Sequence, residues 1–360
     1  MWTVRLKRVP ERVNQLAVSI NGKIYSFYSY DSGLNVSNRE PINVYVFNPV
    51  SYHWDLLQTQ YYLPNGTRSD IVCHAVVAYE DCAYIWATRG NPELRNILYR
   101  FDTKTMTWSR PNVSGQRPEV RCGYTACLVG HRVYIFGGLP PYTTPLPSID
   151  FLDLKTLQWH RVPTSGDIPR RRIFHSASAI GSRMYIWGGH SADLFQVYDR
   201  TLFFLDTATL TWVRPRVNGP PPAAREDHAA FVYKGELYIF GGMDYDLLRY
   251  FGDLHKYNPE NSCWSQVRPR RSGPSSRRYL GCCVLDERVF FFSGVGLASH
   301  AGNRQGMQDE EQELSDMHVL DFAPTLKTLC LLALIETRLN VDRLPPAIRR
   351  EVVAITTHSS

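Results

Sequence analysis

The stretch Gly235-Glu-Leu-Tyr-Ile-Phe-Gly-Gly242 contains the pattern that decides the fold. It is a short run of strand-forming residues that ends on an aromatic side chain and two glycines. Related units, of which three keep both glycines and three are eroded, occur six times. They are Phe27-Tyr-Ser29, Trp86-Ala-Thr88, Phe136-Gly-Gly138, Trp187-Gly-Gly189, Phe240-Gly-Gly242 and Phe292-Ser-Gly294. Because glycine lets backbones approach closely, the pattern predicts six strands that leave a crowded centre.

A tryptophan recurs with the same period, at intervals of 51 to 54 residues. The six copies are Trp2, Trp54, Trp108, Trp159, Trp212 and Trp264. A period near 50 residues is typical of propeller blades, and we expect each tryptophan to fill the space between two blades. The sequence therefore predicts an all-β, six-bladed propeller with a short helical tail.

The position of the first tryptophan suggests how the ring closes. Trp2 precedes the first aromatic-small unit, and no tryptophan follows the last one. We expect the strand around Trp2 to Leu6 to complete the last blade beside the strand from His318 to Phe322, since this removes an open edge. The alternative is an open array with both end blades exposed.

The composition sets limits on the class of protein. The chain has 360 residues, 44% of them hydrophobic, and a net charge of +6 from scattered arginines. This charge does not require a nucleic-acid partner and is equally compatible with an anion pocket. Residues 1–7 contain no apolar signal core, and eight cysteines show no metal-binding spacing, so we expect reduced thiols and a cytoplasmic or nuclear protein.

Arginines recur 15 to 17 residues before the aromatic-small units, where each innermost strand is expected to begin. They open five of six copies, and we aligned Arg278 with Arg121, Arg172 and Arg225. Guanidiniums that converge on the axial mouth would suit a carboxylate, phosphate or acidic peptide; the alternative is that each bonds loop carbonyls between blades. The predicted substrate-binding residues are Arg89, Arg121, Arg172, Phe174, His190, Arg225 and Arg278.

Two histidines stand in register with each other. His175 and His228 occupy the same place in successive repeats, and no carboxylate recurs with them at the spacing of a metal site. We interpret them as residues that pack between blades. The sequence predicts no catalytic residue, no metal and no cofactor.

After Phe322 the period of the apolar residues changes from 2 to 3.6. Leu326, Cys330 and Leu334 fall on one helical stripe, and a second segment places Leu344 and Ile348 on another. We divide the chain into a propeller (1–322), a helical tail (323–354) and a disordered end (355–360).

The combination resembles the kelch domain-containing receptors of cullin-2 ubiquitin ligases. The resemblance covers nearly the whole chain, and its tail segment runs from Leu320 to Cys330. It implies a non-catalytic receptor that reads C-terminal ends of client proteins, in particular those ending in glycine. It also implies an elongin box that binds elongin B/C and a cullin-2 box. The box residues so implied are Leu326, Cys330 and Leu334 for elongin, and Leu344, Pro345 and Ile348 for cullin-2.

The chain departs from this family at the mouth. His190 stands where the relatives that bind C-terminal glycine have an arginine, and Glu226-Asp227 replaces a polar pair. Two carboxylates would repel a C-terminal carboxylate and would favour a basic residue upstream of it. Two other functions stay open: a kelch scaffold for chromatin or cytoskeleton, and a kelch enzyme with a metal at the mouth.

Overall fold

The structure is a computed structural model that describes most of the chain. The described residues are 1–6, 9, 16–28, 42–57, 59, 71–89, 97–119, 121–139, 148–191, 198–298, 310–337, 344–346, 348–349 and 352. Arg12, which opens the first arginine copy, lies outside them, as does the side chain of Arg89.

Six antiparallel sheets of four strands form the blades of a propeller. From the innermost strand outward they are Leu16–Ile20, Lys23–Tyr28, Asn43–Asn48 and His53–Leu57; Ile71–Tyr79, Cys82–Arg89, Ile97–Asp102 and Thr107–Ser109; Cys122–Val129, Arg132–Leu139, Ser148–Asp153 and Gln158–Pro163; Ser176–Ile180, Arg183–Trp187, Phe203–Asp206 and Thr211–Val213; Ala229–Tyr233, Glu236–Phe240, Leu254–Asn258 and Cys263–Val267; and Gly281–Leu285, Arg288–Phe292, Met317–Asp321 and Trp2–Leu6. The predicted all-β, six-bladed fold is confirmed.

Short strands extend this framework. Ser114–Gly115 and Ser165–Gly166 run parallel to the outer strands of blades 3 and 4. Three small hairpins lie between the second and third strands or beside the start of the innermost one. They are Arg172–Ile173 with His190–Ser191, Met243–Asp244 with Arg249–Tyr250, and Val295–Leu297 with Glu311–Glu313. A helix, Leu326–Glu336, follows the propeller. Among the residues described, no helix is long and apolar enough to cross a membrane.

The N-terminal strand closes the ring, as the tryptophan count predicts. Trp2–Leu6 pairs with Met317–Asp321 as the outer strand of blade 6. The Met1 amino group donates to the carbonyl of Asp321 at 2.6 Å, and the Asp321 amide donates to the Met1 carbonyl at 2.9 Å. The innermost strands of blades 6 and 1 are also in contact, so the circle is complete.

Each outer-strand tryptophan packs against the aromatic residue that precedes the small pair of the neighbouring blade. The ring centroids of Trp212 and Phe136 are 5.0 Å apart, and those of Trp264 and Trp187 are 5.8 Å apart. Trp2 repeats the contact with Phe240 at 6.0 Å, across the junction that closes the ring. The predicted inter-blade role of these tryptophans is confirmed, and it explains why the two landmarks share one period.

Deleting residues 1–8 removes this strand together with Trp2. We expect the free energy of unfolding to fall by at least about 3 kcal/mol, the cost of truncating a buried tryptophan alone. Urea unfolding of the truncated and wild-type chains measures the difference. Leu56→Ala, on the exposed side of the outer strand of blade 1, is the control and should stay within roughly 0.5 kcal/mol. Equal stability of the truncated chain would exclude closure by this strand.

Candidate binding site at the axial mouth

An arginine is bonded inside each of blades 3 to 6. The Arg172 guanidinium donates to the Gly188 carbonyl at 3.3 Å and to the Asp199 carboxylate at 2.8 Å. The same two bonds, to the first residue of the small pair and to an aspartate, recur in the other three blades. They join Arg121 to Gly137 and Asp150, Arg225 to Gly241 and Asp253, and Arg277 to Ser293 and Asp316.

These arginines are buried, and most of the predicted positive funnel is therefore wrong. Arg172 and Arg225 are 1% and 0% exposed, and only a small part of Arg121 reaches solvent. Burial alone would raise the pKa of Asp253, but hydrogen bonds from His255 and Arg225 hold it below its ordinary value. The structural alternative, an arginine that bonds loop carbonyls, describes this set.

The alignment of Arg278 with this set is also wrong. The bonded arginine precedes the carbonyl it contacts by 16 residues in every case, and in blade 6 that residue is Arg277. Arg278 is displaced by one position and turns toward the mouth. The tandem Arg277-Arg278 made the two indistinguishable in the sequence, because either one fits a spacing of 15 to 17.

Two positions beyond the bonded arginine, four successive blades share an unusual backbone. Gly123, Phe174, Asp227 and Tyr279 have φ angles of 66°, 55°, 54° and 53°, in the left-handed region. The amide of each of the last three donates to the carbonyl of the one before it, always at 3.1 Å. These residues form a belt of hydrogen bonds that runs from blade to blade and fixes where their side chains begin.

The belt and the residues next to it line a cavity of about 340 Å³ on the propeller axis. All six blades contribute. The lining residues are Leu16, Cys73, His74, Gly123, Tyr124, Phe174, His175, Asp227, His228, Tyr279 and Leu280. No arginine or lysine is found among them, within the part of the chain that the structure describes.

The two histidines predicted to pack between blades do so. His175 and His228 share hydrogen bonds of 2.8 Å with Thr125 and Ser176, each on the preceding blade. Burial, and then the charge of Arg225, lowers the pKa of His228 to about 3, so its imidazole is neutral. In the described ranges no three His, Cys, Asp or Glu side chains cluster as metal ligands would.

A polar network covers the side of the mouth formed by blades 4 to 6. His190 hydrogen-bonds Glu226, and its ring lies 5.8 Å from that of Phe174. Arg278 Nη2 lies 3.0 Å from each carboxylate oxygen of Glu311. Of the predicted substrate-binding residues, Phe174, His190 and Arg278 are thus brought to one place.

Asp227 is the acidic member of the cavity wall. Its side chain is 4% exposed, and its Oδ2 accepts no hydrogen bond and lies 3.5 Å from Arg278 Nη1. Burial, and then the neighbouring Glu226, raises the pKa of Asp227 to about 7, although Tyr279 and Arg278 act in the opposite direction. A carboxylate held this way costs stability whenever it is ionised.

Sequence reasoning noticed Glu226 and Asp227 but missed Tyr279 and Glu311. Tyr279 could have been found, because it stands 14 residues before Ser293, as Phe174 does before Gly188. Glu311 lies on a hairpin that has no counterpart at the same spacing in other blades, so the repeat offers no signal for it.

Comparison with known proteins agrees with this architecture. Residues 73–294 match the sequence profile of the KLHDC2/KLHL20/DRC7 Kelch-repeats domain. The chain belongs to the kelch-repeat family. It is 38% identical to Kelch domain-containing protein 3 of Bos taurus and 37% identical to that of Homo sapiens, in alignments that cover 100% of this chain and 97% of each relative.

A more distant kelch relative matches part of the chain. Host cell factor homolog hcf-1 of Caenorhabditis elegans is 27% identical over 263 residues, which are 66% of this chain and 33% of that protein. Together these likenesses make the chain a kelch-repeat propeller protein, of a family whose propellers generally serve protein interaction.

The register of the bonded arginine in this kelch propeller can be tested in blade 6. Arg277→Met leaves Asp316 without its cation, and we expect the free energy of unfolding to fall by about 3–5 kcal/mol. Arg278→Met, the matched control one residue along, faces the half-exposed Glu311 and should cost roughly 1 kcal/mol. Urea unfolding of both variants decides the point, and the reverse order of losses would restore the original alignment.

The raised pKa of Asp227 predicts a pH-dependent stability. The folded chain keeps the proton on Asp227 up to about pH 7, whereas the unfolded chain releases it near 3.8. Wild type therefore loses stability through this group as the pH rises between these values, and Asp227→Asn does not. We expect the stability of the variant relative to wild type to increase by about 1–3 kcal/mol between pH 5 and pH 8.

Urea unfolding of both chains at the two pH values measures this difference. The neighbouring Glu226, Arg278 and Tyr279 are present in both proteins, so their own titration largely cancels. A difference in stability that stays constant with pH would mean that Asp227 is ionised in the folded chain throughout.

Proposed function

We propose that this chain is the substrate-recognition subunit of a cullin-2 RING ubiquitin ligase. In this proposal the propeller binds client proteins at its axial mouth, and the tail binds elongin B/C and cullin-2. The observation that carries it is an apolar stripe on the tail helix, which is left exposed although the other side of the helix is buried.

The tail helix is locally well defined. The Thr325 side chain accepts a hydrogen bond from the Thr328 amide at 3.1 Å, and its carbonyl accepts one from Leu329 at 2.9 Å. Thr325 thus caps the helix directly after Pro324, a residue that suits a helix start. The first turn therefore presents Leu326 in a fixed orientation.

The helix buries one face and exposes another. Leu331 and Leu332 are each 5% exposed, and Arg271 donates to the Leu332 carbonyl at 3.4 Å, which fixes the helix to blade 5. Leu326 on the other face is 77% exposed, and Cys330 one turn later is exposed as well. A helix that only capped the propeller would bury its stripe, whereas this one keeps it free for a partner helix or groove.

The stripe fits the pattern of an elongin box. Leu326, Cys330 and the half-buried Leu334 follow one another at four-residue intervals, so they form one contact surface. A small side chain at Cys330 would allow a second helix to approach closely between the two leucines.

The second tail segment is compatible with a cullin-2 box. The Arg349 amide donates to the Pro345 carbonyl at 2.9 Å, so this segment begins a helical turn at its proline. Pro345 is exposed, and Leu344 and Ile348 are half-buried, while Val352 is 3% exposed. Leu344, Pro345 and Ile348 could therefore be reached by a partner while Val352 anchors the segment.

The specificity for a C-terminal glycine, which the resemblance implies, has less support from the mouth. A free C-terminal carboxylate needs an available cation or several donors. The described wall of the cavity offers a carboxylate at Asp227, and Arg278 already faces Glu311. The proposal is therefore a receptor for client segments, with the C-terminal glycine left as a prediction for peptide binding to test.

Changing the stripe should separate the tail from elongin. We expect Leu326→Ala combined with Cys330→Phe to weaken capture of elongin B/C by at least tenfold, because it removes an exposed anchor and fills the gap beside it. The melting temperature should stay close to that of wild type, since neither side chain supports the propeller. Pull-down and titration calorimetry with purified elongin B/C measure the binding.

Lys327→Ala, an exposed change on the same helix but outside the stripe, is the matched control and should bind as wild type does. If the double variant still binds elongin B/C with wild-type affinity, the box assignment fails. The chain would then be a kelch interaction scaffold whose exposed stripe meets another partner.

A further inference from the structure

The cavity wall places a carboxylate between two aromatic side chains. Phe174, Asp227 and Tyr279 hold the same register in blades 4, 5 and 6, and the belt of 3.1 Å hydrogen bonds joins them in this order. All three line the axial cavity. Gly123 holds this register in blade 3 and contributes no side chain, which leaves space on that side.

The Asp227 carboxylate is left with a free acceptor. It is 4% exposed, yet its Oδ2 accepts no hydrogen bond. A buried oxygen of this kind is costly, and a native structure keeps one mainly where a ligand or reaction uses it. The donor it lacks is one that would enter through the cavity.

Arg278 does not supply that donor. Its Nη1 lies 3.5 Å from Asp227 Oδ2 and hydrogen-bonds the Tyr245 hydroxyl, while Nη2 is held by Glu311 at 3.0 Å. The guanidinium also stacks 4.5 Å from the centre of the Tyr279 ring. One arginine thus faces two carboxylates, and Glu226 adds a third beside His190, so this side of the mouth favours cations.

The rim above the cavity suits a polypeptide. The hairpin Met243–Asp244 with Arg249–Tyr250 ends in Leu247 and Leu248, each 70% exposed, and Leu297 on the next hairpin is 38% exposed. A small amine could fill the cavity but would leave these leucines uncovered. A protein segment with apolar residues beside a basic one would contact both.

We propose that the axial cavity binds a lysine or arginine side chain of the client, with its cationic group on Asp227. The methylene stem would lie against Phe174 and Tyr279, whose rings can cover apolar stem and cation alike. A cavity of about 340 Å³ accommodates one such side chain and not a folded surface. This inference rests on the proposed function in so far as clients bind at the mouth.

A peptide selection tests the proposal with the full-length chain. A displayed library of random 12-residue peptides that are followed by a constant segment, and hence have no free C-terminus, is selected on wild type and on Asp227→Asn. We expect lysine or arginine at one shared position of the wild-type binders and its loss with the variant. Asparagine tolerates the left-handed backbone of position 227, so the belt is kept, and matching melting curves verify this.

The best binder is then synthesised with its basic residue and with norleucine in that place, N-acetylated and C-amidated. We expect norleucine to weaken binding to wild type at least tenfold and to have little effect on Asp227→Asn. Asp246→Asn, which removes an exposed carboxylate from the rim hairpin, is the matched control and should behave as wild type.

Three results would overturn the inference: no enriched basic position, equal binding of the norleucine peptide, or binding that requires a free C-terminal carboxylate. The elongin capture experiment is independent of all three. A basic preference without elongin binding would keep the cation pocket and remove the ligase role. Elongin binding with any of the three results would keep the ligase role and remove the cation pocket.

Discussion

The arginine buried inside each of blades 3 to 6 is the contact on which the mouth of the propeller depends. In blade 5, Arg225 ties the segment before the innermost strand to the Gly241 carbonyl and to Asp253, at 3.0 and 3.1 Å. A buried ion pair of this kind adds little net stability, but loss of one partner is severe because the other charge stays buried. Its main effect is positional: it fixes the start of the innermost strand against the small pair.

Everything at the mouth follows from that fixed start. Two residues beyond Arg225 the chain turns through a left-handed backbone at Asp227, and its amide reaches the Phe174 carbonyl of the preceding blade. The belt that results uses backbone atoms alone, apart from the conformational demand on each residue. Its side chains are therefore free to differ, and they do: glycine, phenylalanine, aspartate and tyrosine occupy equivalent places. The framework is repeated while the chemistry of the mouth is not.

This division also explains how much could be predicted from the sequence. Periodic features were accessible: the aromatic-small units, the tryptophans and the closure by Trp2 all follow from one repeat that must bury its faces. The role of the arginines was not accessible, because a guanidinium that bonds a loop carbonyl and one that waits for a ligand have the same spacing. Asp253 and Asp316, which decide between them, stand at different distances from their arginines. The features particular to one blade, such as Glu311, follow no period at all.

Two features of this chain run against the rules of burial that the rest of it obeys. Asp227 is a carboxylate that the fold encloses with an oxygen left unbonded, and Leu326 is a leucine that the fold leaves 77% exposed. Each raises the free energy of the isolated chain, and nothing in the neighbouring blade geometry requires either of them: Phe174 and Tyr279 hold the register of Asp227 without a charge, and the helix is fixed by Leu331 and Leu332. A cation at the one and an apolar surface at the other would remove both costs. The two penalties differ in chemistry, one electrostatic and one hydrophobic, so the partners that relieve them must differ as well, which is what a chain that joins a client to a separate assembly requires.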